Sequence, residues 1–393
     1  MKPPTAPAST LRRIPRGIWA LGLVSLCMDV SSELIHSLLP VFMVTTLGAS
    51  ALTLGLVEGA AESVALIVKV FSGVFSDYWG KRKPLALLGY GMAALTKPLF
   101  ALAPGMGMVL TARLLDRVGK GIRGAPRDAL VADIAPPDLR GAAFGLRQSL
   151  DTVGAFLGPL LAMGLMLAWH DDFRAVFWIA VIPAFLAVLL LYFGVEEPEG
   201  CVHPARGNPI SRANLARLPM AYWWVVAAGA ILTLARFSEA FLVLCVRDTG
   251  LPLSLTPLVM IVMNLVYSAC AYPFGKLADS QSSNRLLMIG VALLIGADAL
   301  LAQPGSTAIW AGIVLWGLHM AMTQGLLAAL IAHTAPADLR GTAFGCFNLL
   351  SGLTMLIAST LAGVLWENWG APATFIAGGI FSAVALLLLG LRR

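Results

Sequence analysis

Charge is what this sequence has least of: 12% of its 393 residues are Asp, Glu, Lys or Arg, against roughly 25% in a soluble domain, while 58% are hydrophobic. So few charges cannot cover a water-facing surface, which excludes an ordinary soluble globular protein. Cysteine is sparse as well. Cys27, Cys201, Cys245, Cys270 and Cys346 form no C-x-x-C pair, and all but Cys201 lie in apolar runs, so neither a disulfide framework nor a zinc cage is expected. H-E-x-x-H, G-x-S-x-G and P-loop patterns are missing: GKGIRG around Lys120 lacks the upstream glycine spacing and the Ser or Thr that nucleotide-bound magnesium requires. No catalytic residue, cofactor or resident metal is therefore expected. Period-two alternation is missing too, which argues against a transmembrane barrel. The basic, Pro-rich N-terminus has no small-residue cleavage pattern after it, and the apolar run that follows continues past Asp29 and Glu33 to Leu47, so it reads as a tail before the first helix and not as a secretory signal.

What is present is a succession of apolar segments of about 20 residues, the length of a membrane-crossing helix. Polar or Gly/Pro junctions divide the chain into spans at about 17–46, 52–77, 84–103, 106–133, 141–169 and 174–194, then 219–246, 253–277, 285–303, 307–332, 341–366 and 371–391. The expectation is an all-α membrane protein of twelve transmembrane helices in two pseudo-symmetric six-helix bundles, 17–195 and 219–393. Residues 1–16 form a tail, and 196–218, rich in Pro, Gly and charge, form a linker. If the N-terminus is inside, the basic residues concentrate in the inner loops, including Arg12, Arg13, Arg16, Lys81, Arg82, Lys83, Arg140, Arg206, Arg212, Arg340, Arg392 and Arg393. Positive-inside bias then places both termini in the cytoplasm, in a bacterial inner membrane, and accounts for the net charge of +6 without a nucleic-acid partner.

The halves repeat each other. DIAPPDLRGAAFG at 133–145 matches HTAPADLRGTAFG at 333–345, an offset of 200, and GVFSDYWGKRK at 73–83 is echoed by GKLADSQSSNR at 275–285, keeping Gly275 and Asp279. A pair of matches at nearly one spacing indicates a duplicated six-helix unit. The stretch Gly73-Val-Phe-Ser-Asp77-Tyr-Trp-Gly80-Lys81-Arg82-Lys83 resembles the signature loop of the major facilitator superfamily, G-x-L-a-D-r-x-G-r-[RK], with Phe75 and Tyr78 at the usual Leu and Arg positions. Its chemistry also makes sense locally: glycines allow close packing and a tight turn, Asp77 can cap a helix end, and the basic triplet suits anionic headgroups. Arg117-Val-Gly-Lys-Gly121 is similar to the superfamily's R-x-x-x-G in helix 4. Gly154-Ala-Phe-Leu-Gly158-Pro159 is similar to the G-x-x-x-G-P motif associated with proton antiporters, with Ala162-Met163 in place of the glycine pair that usually follows. The resemblance implies that helices 1, 4, 7 and 10 line a central path and that helices 3 and 6 are peripheral.

Charges at bilayer depth are costly unless they face a cavity or a partner, so each is a candidate for function. Asp29, Glu33 and His36 share one face of helix 1, with Pro40 close by; Glu58, Glu62 and Lys69 form a stripe on helix 2; Arg147 and Asp151 lead into Gly154 and Gly158 on helix 5. On helix 4, Arg113, Asp116, Lys120, Arg123 and Arg127 fall within about 80° at 100° per residue, with Arg117 and Asp128 at the edge. The second half offers Arg236 and Glu239 in helix 7, Asp298 in helix 9, and His319 and Gln324 in helix 10. Asp29, Glu33, His36, Glu58, Glu62, Arg113, Asp116, Arg117, Lys120, Asp151, Arg236, Glu239, His319 and Gln324 are the expected substrate and proton path. Gly73, Asp77, Gly80, Lys81, Arg82, Arg127, Asp128, Arg147, Gly154, Gly158, Pro159, Gly275 and Asp279 are the expected gate.

Walls of carboxylates on helices 1 and 2 facing cations on helices 4 and 5 would let substrate and proton compete for the same acids. The expected function is alternating-access secondary transport: proton-coupled export of a small polar or charged solute, an organic compound, a metal ion or a metal chelate, by a monomer. The alternative is proton-coupled uptake of an organic anion. A membrane sensor or scaffold without transport is a third reading, which the retained intramembrane charge argues against.

Overall fold

The computed structural model describes residues 13–79, 81–136, 139–197, 215–280, 282–336 and 339–391. Among them every long element is a helix. In chain order these are α1 (Arg16–His36, resuming as Leu39–Thr45), α2 (Ala51–Trp79), α3 (Lys83–Leu102), α4 (Met106–Ile134), α5 (Arg140–Ala168) and α6 (Phe173–Gly194). The second set is α7 (Met220–Ala235, resuming as Ala240–Arg247), α8 (Leu258–Ser280, after a 3-10 turn at Leu253–Leu255), α9 (Ser283–Leu301), α10 (Ser306–Thr334), α11 (Arg340–Trp369) and α12 (Ala371–Leu391). The expected tail and linker lie largely outside the described residues, as do Gly80, the burial of Gly275 and the side chains of Asp77 and Asp279.

Among the described residues, eleven helices are long and apolar enough to cross a membrane, and α4 is the spanning-length helix that is not. It is 29 residues long, but its charged stripe removes it from that class. Its length and its packing between α2 and α3 place it in the bundle all the same.

α1 and α7 differ from the expected continuous spans. Pro40 stands at the start of the second α1 segment and has no N–H to continue the ladder, so the helix yields at Ser37–Leu38. The α7 interruption at Arg236–Glu239 has no proline. It is held from outside by Ser359 of α11, whose Oγ accepts the Ser238 N–H (3.2 Å), and within the step the Ala240 N–H donates to Ser238 Oγ (3.3 Å).

The bundles meet along α2–α11 and α5–α8. Gly55 permits the closest approach, since a Cβ there would lie 2.2 Å from the Ser359 carbonyl oxygen. At the end away from the termini, Leu39–Thr45 packs on Ala240–Arg247, and one apolar core joins Val41 and Phe42 to Phe241 and Leu242. At the terminal end the cores are separate: Ile18, Leu21 and Leu191 belong to one, Tyr222, Val226 and Ile331 to another. The bundles are therefore closed on the far side and parted on the side that carries the termini.

Candidate functional site

Between the bundles lies a cavity of about 370 Å³. α1 contributes Glu33, His36 and Pro40, α2 Glu58 and Glu62, and α4 Arg113, Arg117 and Lys120. From the other bundle come Arg236, Phe237, Ser238 and Glu239 of the α7 interruption, with Met260, Trp316, Gln324 and Met355. The expectation of a one-turn Arg236–Glu239 pair on a helix is thus corrected. Both residues flank a non-helical step, and both line the cavity.

Most charges on the N-terminal wall hold each other. Arg113 grips Glu58 with both ends of its fork, Nε to Oε1 at 3.1 Å and Nη2 to Oε2 at 2.6 Å. Arg117 Nη2 lies 3.2 Å from Glu62 Oε1 and donates to His36 Nδ1 at 3.2 Å. That donation assigns the imidazole proton to Nε2, which faces Asp116 Oδ2 at 3.6 Å. The other Asp116 oxygen takes the ammonium of Lys97 at 2.8 Å, and Lys97 also donates to Ser32 Oγ at 3.1 Å. Such pairs satisfy charge that would otherwise be costly at this depth.

Asp116 therefore does not line the cavity: it is 2% exposed and stands behind the wall. Lys97 belongs to α3, a helix expected to be peripheral, and is fully buried. Sequence reasoning missed it, although a lysine inside the apolar run ALTKPLF was the available signal.

A second cavity, about 310 Å³, shares Glu62 and Lys120 with the first and continues through Asp29, Lys69, Arg123, Arg127 and Asp151. Asp29 and Asp151 lie side by side there. Gly154 and Gly158 explain how α5 comes so close to α1: a Cβ on Gly154 would lie 2.6 Å from the Leu26 carbonyl oxygen, and one on Gly158 would lie 2.6 Å from Glu33 Cβ. Pro159 is buried beside them in α5.

Toward the terminal end, Arg127 pairs with Asp128 (3.1 Å) and approaches Asp151 (3.8 Å), and Arg147 approaches Asp151 (3.5 Å) and Asp128 (3.9 Å). Arg123 stacks over the Tyr90 ring at 4.8 Å. In the signature loop, Arg82 pairs with Asp133, and its backbone N–H donates to Glu197; Lys81 is exposed, and Gly73 faces Ala125 of α4. His319, expected on the path, is fully buried behind the cavity wall, where its Nδ1 donates to the Gly290 carbonyl at 2.8 Å. Gln324 does reach the cavity.

Two helical bundles enclosing a charged cavity define a polytopic membrane transporter. The chain belongs to the Major Facilitator Superfamily, which matches it over residues 21–359 and again over 225–393. It is 32% identical over 389 residues to an uncharacterized MFS-type transporter of Methanocaldococcus jannaschii, covering 96% of this chain and 95% of that relative. A POT family transporter solved with 5-aminolevulinic acid shares the fold at a TM-score of 0.81 and 13% identity, covering 98% of each chain. A human organic anion transporter does so at a TM-score of 0.70 and 18% identity, covering 95% of this chain and 99% of that one. The protein is a transporter and not an enzyme.

Proposed function

We propose that the protein exports a small polar or charged organic solute in exchange for protons, by rocking its bundles about the central cavity in the bacterial inner membrane. The observation that carries this reading is the shared lining: Glu33 and Glu62 from one bundle and Glu239 from the other line one cavity together with Lys120. A carboxylate that meets a cationic group of the cargo in one conformation and a proton in another exchanges the two, which is the logic of antiport. The basic residues at the terminal end support cytoplasmic termini, so the parted side is the cytoplasmic one. An organic solute is favoured over a bare metal ion because, among the described residues, no three acidic, His or Cys side chains converge as a ligand set.

A second reading, uptake of an organic anion together with protons, is favoured by Arg236, whose Nε is buried without a hydrogen-bond partner beside the cavity. Proteoliposomes of defined orientation, loaded with a deproteinised metabolite extract and given a pH gradient, separate the readings. Solutes leaving against the proton flow support exchange. Solutes moving with the protons overturn the exporter in favour of uptake.

A further inference from the structure

The C-terminal bundle contains an ionisable group that the cavity does not use. Asp298 of α9 is 1% exposed, and neither carboxyl oxygen has a hydrogen-bond partner. In the repeat, Asp298 stands at the position of Lys97: Gly89 packs on Gly119 and Arg123 of α4 as Gly290 packs on His319 and Thr323 of α10, which sets α3 and α9 at an offset of 201. Where α4 answers Lys97 with Asp116, α10 carries Trp316, so the buried ion of α3 is paired and that of α9 is not. A side chain begun on Gly378 of α12 would meet Asp298 Oδ2 at 3.0 Å, the Phe237 ring at 3.2 Å and the Ala235 carbonyl oxygen at 3.3 Å. The carboxyl thus abuts the end of the first α7 segment, directly behind the interruption that carries Arg236 and Glu239 into the cavity. Phe237 stands between it and the cavity, 5.8 Å from the ring of Trp316, whose own Nε1 also has no partner.

We propose that Asp298 is a proton-binding site of the C-terminal bundle, loaded in the conformation seen here and emptied when the α7 interruption rearranges. A bare carboxylate in an apolar pocket is strongly disfavoured, so the group as placed carries its proton. The elements packed around it offer few charges to replace that proton. α12 has no ionisable residue; α10 has His319, committed to Gly290, and His333 in its last turn; α7 has Arg236, Glu239 and Arg247; and α9 itself has only Arg285 besides. Arg236 is the one cation next in sequence to Ala235. A shift of the Arg236–Glu239 step that moves Phe237 aside exposes the carboxyl to that guanidinium and to cavity water, and either stabilises the anion and releases the proton. Nothing is bonded or broken except the O–H, whose proton passes to water.

This inference rests on the proton-coupled reading above, and the test keeps the two apart. Infrared difference spectra of the lipid-reconstituted wild type against Asp298→Asn are expected to show a protonated-carboxyl stretch that vanishes in the variant and persists through neutral pH. A carboxylate signature, or no difference, overturns the proposal. Should Asp298→Asn fail to reconstitute, carbodiimide modification of the Asp298 peptide in the wild type reports the same proton, and its absence overturns the site. Gradient-driven flux of the metabolite extract through Asp298→Asn should then fall about tenfold, the scale of ordinary coupling, while exchange without a gradient falls by no more than about twofold. Equal losses, or none, would show a structural acid and overturn the coupling role. Wild-type flux indifferent to the gradient would instead sink the proton-coupled reading itself.

Discussion

Helices α4 and α10 are the same position in two copies of one unit. Each is 29 residues long, they begin 200 positions apart, and each is followed by a leucine cap of nearly equal torsion, Leu139 at φ −115° and Leu339 at φ −113°. Their charge has diverged completely at these positions. Arg113 stands against Ile313, Asp116 against Trp316, Arg117 against Gly317, Lys120 against Met320 and Arg127 against Leu327. The backbone was kept because packing between neighbouring helices needs the same shape twice. The charge was not, because a cavity between two bundles needs only one strongly ionic wall. The apolar wall compensates with an interrupted α7, which exposes Arg236 and Glu239 to the cavity where α10 supplies only Gln324 and Trp316.

The largest test of this asymmetry is to remove one member of the buried network. Lys97→Ala leaves Asp116 buried without its ammonium and should cost about 3–5 kcal/mol, read as thermal stability in detergent. Lys97→Ala with Asp116→Asn should recover most of that loss, because no buried charge is then left without its partner. If the double variant is no more stable than the single one, the pair is not the unit described here. Gly158→Ala is next: it drives a methyl into Glu33 and the α1 backbone and should cost about 1–3 kcal/mol by overpacking. The equivalent change at Gly164, which has nothing within 4 Å, should be close to silent.

Lys120→Met installs the residue of the other bundle at a site that faces the cavity. Gradient-driven flux should fall about tenfold with little change in stability, since a cavity charge contributes to coupling more than to packing. Comparable flux in variant and wild type would place coupling elsewhere. The smallest effect is expected at the closed end, where Glu367 of α11 accepts the Leu52 N–H at 3.2 Å and so caps α2 across the bundles. Glu367→Gln should weaken that closure by about 0.3–1 kcal/mol, seen as a few-fold rise in thiol labelling of a cysteine placed at Ser50.

Helix boundaries were legible to within a few residues because the switch from apolar runs to Gly, Pro and charge is a local solvation signal. The α1 break was foreshadowed by Pro40, but the α7 break was not, since its cause is Ser359 arriving from α11, 121 positions away from Ser238. His36, Glu58, Glu62, Arg113 and Arg117 could be named as intramembrane charges, yet their pairing could not be assigned. Lys97 carries no signal of a path residue because α3 is expected to be peripheral, and His319 is expected on the path because helical spacing cannot tell a cavity from the groove behind it.

By itself the sequence determined the membrane-helical class, the duplication, the family and the concentration of charge in α4, because each is set by local composition or by repetition along the chain. Only the tertiary structure decided which charges neutralise each other, which remain open to the cavity, and that Asp298 has no partner. Those outcomes depend on distances between helices far apart in sequence, and at bilayer depth an ångström or two separates a satisfied ion pair from a site that must bind something else.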